Sequence, residues 1–343
     1  MRRFILIVFL LLVIAGIAGV LMMHKRIWRN NVNVPEGETV DLFIPTGSGF
    51  NDVYGILKEQ DILRDTSSFR WVALKKNYPN HVYPGRYRIL SGMSNNRLVG
   101  MLRSGIQEPV QLVFNNIRTP EKLAGVIAGQ IEADSLDILS LFSNTALVEK
   151  HQFSRETIRG VFIPNTYEIY WNTSGEEFLD RMVREYRIFW NEKRLALARR
   201  IELKPMEVMT LASIVDEETL MKEEEVRIAG VYINRLNRRI RLHADPTVKF
   251  AAGDMNITRV LNKHLEIDSP YNTYRHGGLP PGPIVIPSIS AIDAVLNYVR
   301  HNYLYFCAKE DFSGYHNFAK TLAQHNKNAR SYQNALNRRK ILN

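Results

Sequence analysis

Apolar positions follow a different rhythm in each part of this chain of 343 residues. Phe4 to Met23 is an unbroken uncharged run, with Arg2 and Arg3 before it and His24, Lys25 and Arg26 directly after. At ~1.5 Å per residue the run is about as long as a bilayer's hydrocarbon core is thick, so residues 1–26 read as a transmembrane anchor. The competing reading, a cleaved signal peptide, has a shorter apolar core and ends in a small-residue site. Here Ala15, Gly16, Ala18 and Gly19 lie inside the run, with Val20 to Met23 still to come. Basic residues on both flanks, Arg29 included, leave the orientation undecided by charge. Residues 27–39, polar and broken by Pro35 and Gly37, read as a stalk.

Val40 to Ile44 alternates like a strand and meets Pro45, Gly47 and Gly49 in a turn. Phe50, Val53, Tyr54 and Leu57 recur at helical spacing, and Phe69, Val72, Ala73 and Lys76 begin a second such pattern after a break at Asp65 to Ser68. Tyr83 to Leu90 predicts a turn and a strand, and Asn95 to Leu102 another helix. The order predicts a compact βααβ module over 40–108, small enough to be a binding unit beside a larger body.

The remaining segment, 109–343, opens with a strand at Val110 to Phe114 and a helix from Thr119 to Gln130, with Thr119 as cap and Pro120 in the first turn. Gly175 to Arg200 and Lys204 to Leu236 carry helical, charged patterns. Ser290 to Val299 predicts a helix, Tyr303 to Ala308 a strand, and Thr321 onward a terminal helix, so the fold class is α+β. Past Leu242, "HADPTVKF" and "SPYNTYRHGGLPPGPIVIP" read as long loops, which in compact domains tend to serve function.

A hydrophobic content of 45% fits a packed globule, and the formal net charge is +10. The positive charge is dispersed, denser only at Lys327, Arg330, Arg338, Arg339 and Lys340, where it reads as the polar face of the last helix. With no nucleic-acid motif, nucleic acid is not an expected partner. The single cysteine, Cys307, excludes an internal disulfide and any multi-cysteine metal site. There is no His-Glu-x-x-His, no Gly-x-Ser-x-Gly elbow and no Gly-rich phosphate loop, and no metal or cofactor is expected.

Against that positive balance, Ser213 to Leu236 gathers Asp216, Glu217, Glu218, Glu223, Glu224 and Glu225. At roughly 100° per residue, Val208, Leu211, Ala212 and Val215 share a helix face that Ile214 widens. Glu217 falls nearly opposite, and Glu223 to Glu225 have few apolar neighbours, so these read as solvated. Glu218 stands at the margin of the apolar stripe. Partial burial there would raise its pKa toward the range of a proton donor near neutral pH. An ion pair with Arg227 or Arg235 is the structural alternative. Asp245 before Pro246 and Asn272 before Thr273 are typical turn residues. Tyr271, Asn272, Thr273 and Tyr274 also offer the aromatic, amide and hydroxyl groups that grip a sugar.

These residues fall within a set of ordered motifs: "LASIVDEET" (211–219), "VYINRL" (231–236), "RLHADPTV" (241–248), "YNTYRHGGLPPGPI" (271–284), "YLYFCA" (303–308), "HNFAKTLAQHN" (316–326) and, more loosely, "GVFIPNTYEI" (160–169). In them the chain resembles the bacterial endolytic murein transglycosylases of the MltG or YceG-like family. The amino-terminal third is similar mainly in layout, one membrane span followed by a module that looks like the family's LysM-like subdomain. The family's key helix carries Glu, any residue, a second Glu and Thr, and the second Glu is catalytic; that position is Glu218. Asp216 replaces the first Glu, and Asn165 stands where the family usually has Asp.

The resemblance implies cleavage of the MurNAc-GlcNAc β-1,4 bond in nascent glycan strands, terminating elongation with a 1,6-anhydroMurNAc end. It implies Glu218 as the one acid and base, with Asp245, Asn272, Thr273 and Tyr274 lining the cleft, and Tyr167 and His316 as further members. It also implies a single-pass inner-membrane protein facing the periplasm, with peptidoglycan and its synthesis machinery, including penicillin-binding proteins, as partners. Two alternatives remain: a muramidase using Asp245 as second carboxylate, and a non-catalytic wall-binding scaffold.

Overall fold

The computed structural model describes residues 1–115 and 117–339. Lys340, counted above in the basic terminal cluster, lies outside them. The chain divides into two compact units, one of Met1–Leu112, Gln130–Glu132 and Tyr167–Thr173, the other of Val113–Gly129, Ala133–Thr166 and Ser174–Asn343.

The first unit begins with α1 (Arg2–Trp28), which buries no residue and is long and apolar enough to cross a membrane. It continues with β1 (Thr39–Ile44), α2 (Phe50–Glu59), α3 (Thr66–Lys75), β2 (Gly85–Leu90) and α4 (Asn95–Ser104). β1 and β2 pair antiparallel, Thr39 opposite Leu90 and Ile44 opposite Gly85. Alternation turns Leu42, Ile44, Tyr87 and Ile89 inward, onto Val53, Leu57, Phe69, Val72, Leu98 and Leu102 from the helices. Each such side chain contributes about 1.5–3 kcal/mol of burial free energy, and together they hold two short strands that would not persist alone. The stretch expected to be a stalk is docked instead. Asn31, Val32 and Val34 are buried, and Val32 bridges to Leu63, because this connector carries its own alternating apolar pair.

Next come β3 (Val110–Phe114), α5 (Pro120–Ala128), α6 (Ser135–Ser140), α7 (Thr145–Lys150) and β4 (Asn165–Ile169), with β3 paired to β4. α5 starts as its sequence predicts: Pro120 opens it, and the Thr119 hydroxyl accepts from the Lys122 amide at 3.2 Å.

In the second unit the long charged stretch forms two helices, α8 (Gly175–Phe189) and α9 (Glu192–Arg200), the second capped by Asn191. α10 (Pro205–Glu218), α11 (Lys222–Asn237), α12 (Asp245–Ala251), α13 (Asn262–Leu265), α14 (Ile289–Leu296), β5 (Tyr305–Ala308), β6 (His316–Ala319) and α15 (Leu322–Arg338) follow. α10, α11 and α14 pack on one another. Gly230 permits the chain after α14 to approach α11, since a Cβ there would lie 2.6 Å from the Val299 carbonyl oxygen. Asp245 and Pro246, expected in a turn, instead open α12, where Pro at the first turn loses no hydrogen bond.

Several acids of α10 and α11 lie deeper than the helical pattern predicts. Glu224 and Glu225, expected to be solvated, are only 4% and 3% exposed. Glu224 accepts from the His316 amide at 3.1 Å, and the Ser290 hydroxyl lies 3.4 Å from Glu225. Their cover comes from residues far along the chain. Glu217 is not on an open face either: Arg118 pairs with it at 2.8 Å, and burial pushes its carboxyl up.

Candidate active site

Glu218 is the last residue of α10, and the turn at 219–221 brings α11 back against it. Val208, Leu211, Ala212, Ile214 and Val215 are all fully buried, which fixes the rotation of α10. Glu218 is left half-buried at the edge of that stripe. The Tyr232 hydroxyl donates to Glu218 Oε1 from the buried face of α11. Oε2 meets no protein partner among the described residues and is not sealed away from solvent.

The Glu218 carboxyl is pushed up to about 7, chiefly by burial. The Tyr232 hydrogen bond pulls it down, the Asp245 charge raises it, and Lys249 and Arg235 lower it. Tyr232 moves in the same sense, its phenol raised by burial and by the Glu218 charge beside it. A carboxyl poised near neutrality, with one oxygen held and the other open, can give up and take back a proton.

Around this pair the loops are pinned from inside. Arg235, 8% exposed, donates to the carbonyls of Leu304 at 2.6 Å and Leu242 at 2.7 Å. It does not pair with Glu218, and nor does Arg227, whose guanidinium lies over Phe318. Asp245 is exposed at the start of α12, where Oδ1 accepts from the Tyr274 hydroxyl at 2.6 Å. Tyr274 in turn stacks on His243, ring centroids 4.7 Å apart. Asp216, at the position that departs from the family pattern, accepts from the Ser288 amide at 2.9 Å and hydroxyl at 2.8 Å, anchoring the start of α14.

The expected sugar-binding residues thus separate. Asp245 and Tyr274 are joined and lie within electrostatic reach of Glu218. Asn272 is fully buried; its amide donates to the carbonyls of Leu265 and Ile267, both at 2.9 Å, and its oxygen accepts from the Tyr274 amide at 3.1 Å. Thr273, 2% exposed, bonds Thr247 at 2.9 Å and the Ala244 amide at 3.0 Å. Both therefore shape the loop that carries Tyr274, and neither lines a cleft with its polar atoms. His316 sits on β6 against Glu224, Nδ1 to Oε2 2.8 Å, with its ring edge-on to Phe306, which packs against Tyr232. Tyr167 is buried on β4 in the first unit. Sequence reasoning missed Tyr232. Its signal was a tyrosine on the apolar face of α11, whose buried hydroxyl must find a partner.

The model of the YceG-like family matches residues 42–331. The chain belongs to that family. It is 29% identical over 315 residues to an endolytic murein transglycosylase of Bacillus subtilis, a match covering 87% of this chain and 86% of the relative. It is 28% identical over 331 residues to an endolytic murein transglycosylase of Streptococcus pneumoniae, covering 86% of this chain but 59% of that longer protein. The crystal structure of a putative YceG-like protein from Listeria monocytogenes matches at 28% identity with a TM-score of 0.55, over 84% of this chain and 99% of that one. The YceG-like motifs quoted from the sequence, "LASIVDEET" and "VYINRL", are the segments that supply Glu218 and Tyr232.

Proposed function

We propose that this YceG-like chain is a membrane-anchored lytic transglycosylase that cuts the MurNAc-GlcNAc β-1,4 bond inside nascent peptidoglycan strands. The observation that carries this reading is Glu218, a single carboxyl poised near 7 and clamped on one oxygen by Tyr232. Glu218 Oε2 donates its proton to the glycosidic oxygen as the bond to the MurNAc anomeric carbon breaks. The resulting carboxylate takes the proton of the MurNAc C6 hydroxyl, whose oxygen closes on that carbon. Glu218 is regenerated as the acid, and the new end is 1,6-anhydroMurNAc. Water is not consumed. Asp245, held by Tyr274, supplies negative charge that favours the cationic sugar in the transition state.

The reading of the first unit is that α1 anchors the protein in the inner membrane, that the βααβ module is LysM-like, and that both units face the wall, where cuts near the membrane would end strand growth beside the synthesis machinery. One observation favours a muramidase instead: Asp245 is a second carboxylate whose charge Glu218 feels, as a two-acid glycosidase requires. Digestion of un-crosslinked nascent glycan, read by mass spectrometry, separates the two. A transglycosylase releases ends lighter by one water than a hydrolase does, and Glu218→Gln releases neither. Hydrolysed ends sink the proposed chemistry, and unchanged products from Glu218→Gln sink any catalytic role for that residue.

A further inference from the structure

Where α1 leaves its apolar run, the first unit forms a cleft of about 400 Å³ lined by Lys25, Arg26, Arg29 and Arg64 over a floor that includes Asn31, Ser68 and Asn95. Arg64 comes from the loop before α3 and is brought here only by the fold. The floor is a closed hydrogen-bond network. Asn31 donates to the Asp65 carbonyl and to Asn95 Oδ1, both at 2.8 Å, and accepts from the Asp65 amide at 2.8 Å. Asn95 donates to the Arg26 carbonyl at 2.9 Å and to the Ser68 hydroxyl at 2.9 Å. These bonds tie the end of α1 to α3 and α4, which gathers the four basic residues around one opening, the Arg26 guanidinium lying over the Trp71 ring at 5.8 Å.

None of the four meets a carboxylate within ion-pair distance among the described residues. The one acid of the lining, Asp65, caps α3 through the Ser68 amide at 3.0 Å and offsets only part of the positive charge of the four. An excess of like charge gathered at one opening opposes folding, and an anion in the cleft offsets that cost. Its level relative to a bilayer follows from α1. From Met23 to Arg29 the helix rises by ~9 Å, about the depth of a headgroup layer beyond the hydrocarbon edge.

We propose that this cleft binds the phosphate of an anionic lipid headgroup, fixing the first unit on the membrane surface that α1 enters. The proposal rests on reading α1 as a membrane span. The test is titration of the detergent-solubilised full chain with dioctanoyl phosphatidylglycerol, with dioctanoyl phosphatidylcholine and with inorganic phosphate. Phosphatidylglycerol is expected to bind, and Arg64→Ala to weaken it about fivefold, the loss typical of one basic residue at an anionic surface. Arg103→Ala, at the far end of α4, should change it by less than about twofold. Lys25→Gln repeats the Arg64 test on another element, and a melting temperature no lower than that of the unmutated chain shows that each variant is folded. Equal effects of Arg64→Ala and Arg103→Ala, or binding of phosphatidylcholine as tight as phosphatidylglycerol, overturn the proposal. Inorganic phosphate binding as tightly as phosphatidylglycerol overturns the lipid as its source. The anchor is read separately: extraction of the chain from membranes by alkaline carbonate refutes the span, whereas headgroup binding in detergent reports the cleft alone.

Discussion

Replacing Glu218 by Gln should stabilise the folded protein at alkaline pH while abolishing its activity. Burial lifts the Glu218 carboxyl from 4.5 to about 7 in the folded state. Between those values the unfolded chain has released the proton that the folded chain still holds, so stability falls as pH rises through that window. Above about 7 the full penalty is present, and below about 4.5 there is none. A separation of this size is worth ~3 kcal/mol at about 1.4 kcal/mol per pH unit. Glutamine stays neutral and keeps an oxygen for the Tyr232 hydroxyl, so Glu218→Gln relieves the penalty without emptying the site. For a unit of this size ~3 kcal/mol corresponds to ~6–12 °C in Tm. Scanning calorimetry of wild type and Glu218→Gln in detergent at pH 4 and pH 8 checks this. The variant should melt higher at pH 8 and at the same temperature at pH 4. An equal shift at both values, or none at pH 8, would show that Glu218 is not held protonated by its surroundings.

Tyr232→Phe removes a donor that favours the carboxylate, so the alkaline limb of the kcat profile should move up by about one pH unit, toward the value burial alone would set. Asp245→Asn removes a negative charge that disfavours ionisation of Glu218, so the same limb should move down, with kcat reduced as well. Opposite movements in these two pH-rate series test the assignment of both neighbours, and movement of both in one direction contradicts it. Asn272→Ala strands the carbonyls of Leu265 and Ile267 and should cost about 1–3 kcal/mol, seen as a lower Tm. If Asn272 instead grips the sugar, KM rises with Tm unchanged.

Local periodicity made the βααβ order and the rotation of α10 readable in the sequence, and with them the position of Glu218. Val208, Leu211, Ala212 and Val215 needed no distant neighbour to declare their face. What could not be read was set by contacts across the chain. Glu224 and Glu225 look solvated from α11 alone, and their carboxylates are met by Ser290 and by the four-residue strand β6, too short to show a period. Tyr232 carries no sign of its partner, because a turn of unpredictable direction decides whether its hydroxyl meets Glu218. Asn272 and Thr273 have the composition of a sugar grip and the positions of loop braces, and composition does not distinguish the two.

The electrostatics of Glu218 bear on why one acid would suffice. Two-carboxylate glycosidases separate their pKa values, one group kept protonated to donate and the other ionised to attack or to activate water. A group that must first donate and then accept has no use for an extreme value, since a stronger acid is a weaker base. Its best pKa lies near the working pH, where neither step is sacrificed to the other. Burial alone would overshoot that point for Glu218, and the Tyr232 hydrogen bond with the charges of Lys249 and Arg235 brings it back to about 7. In the proposed reaction the tyrosine would therefore trim the acid toward a value that serves both steps, and by occupying Oε1 it would leave Oε2 to carry the proton.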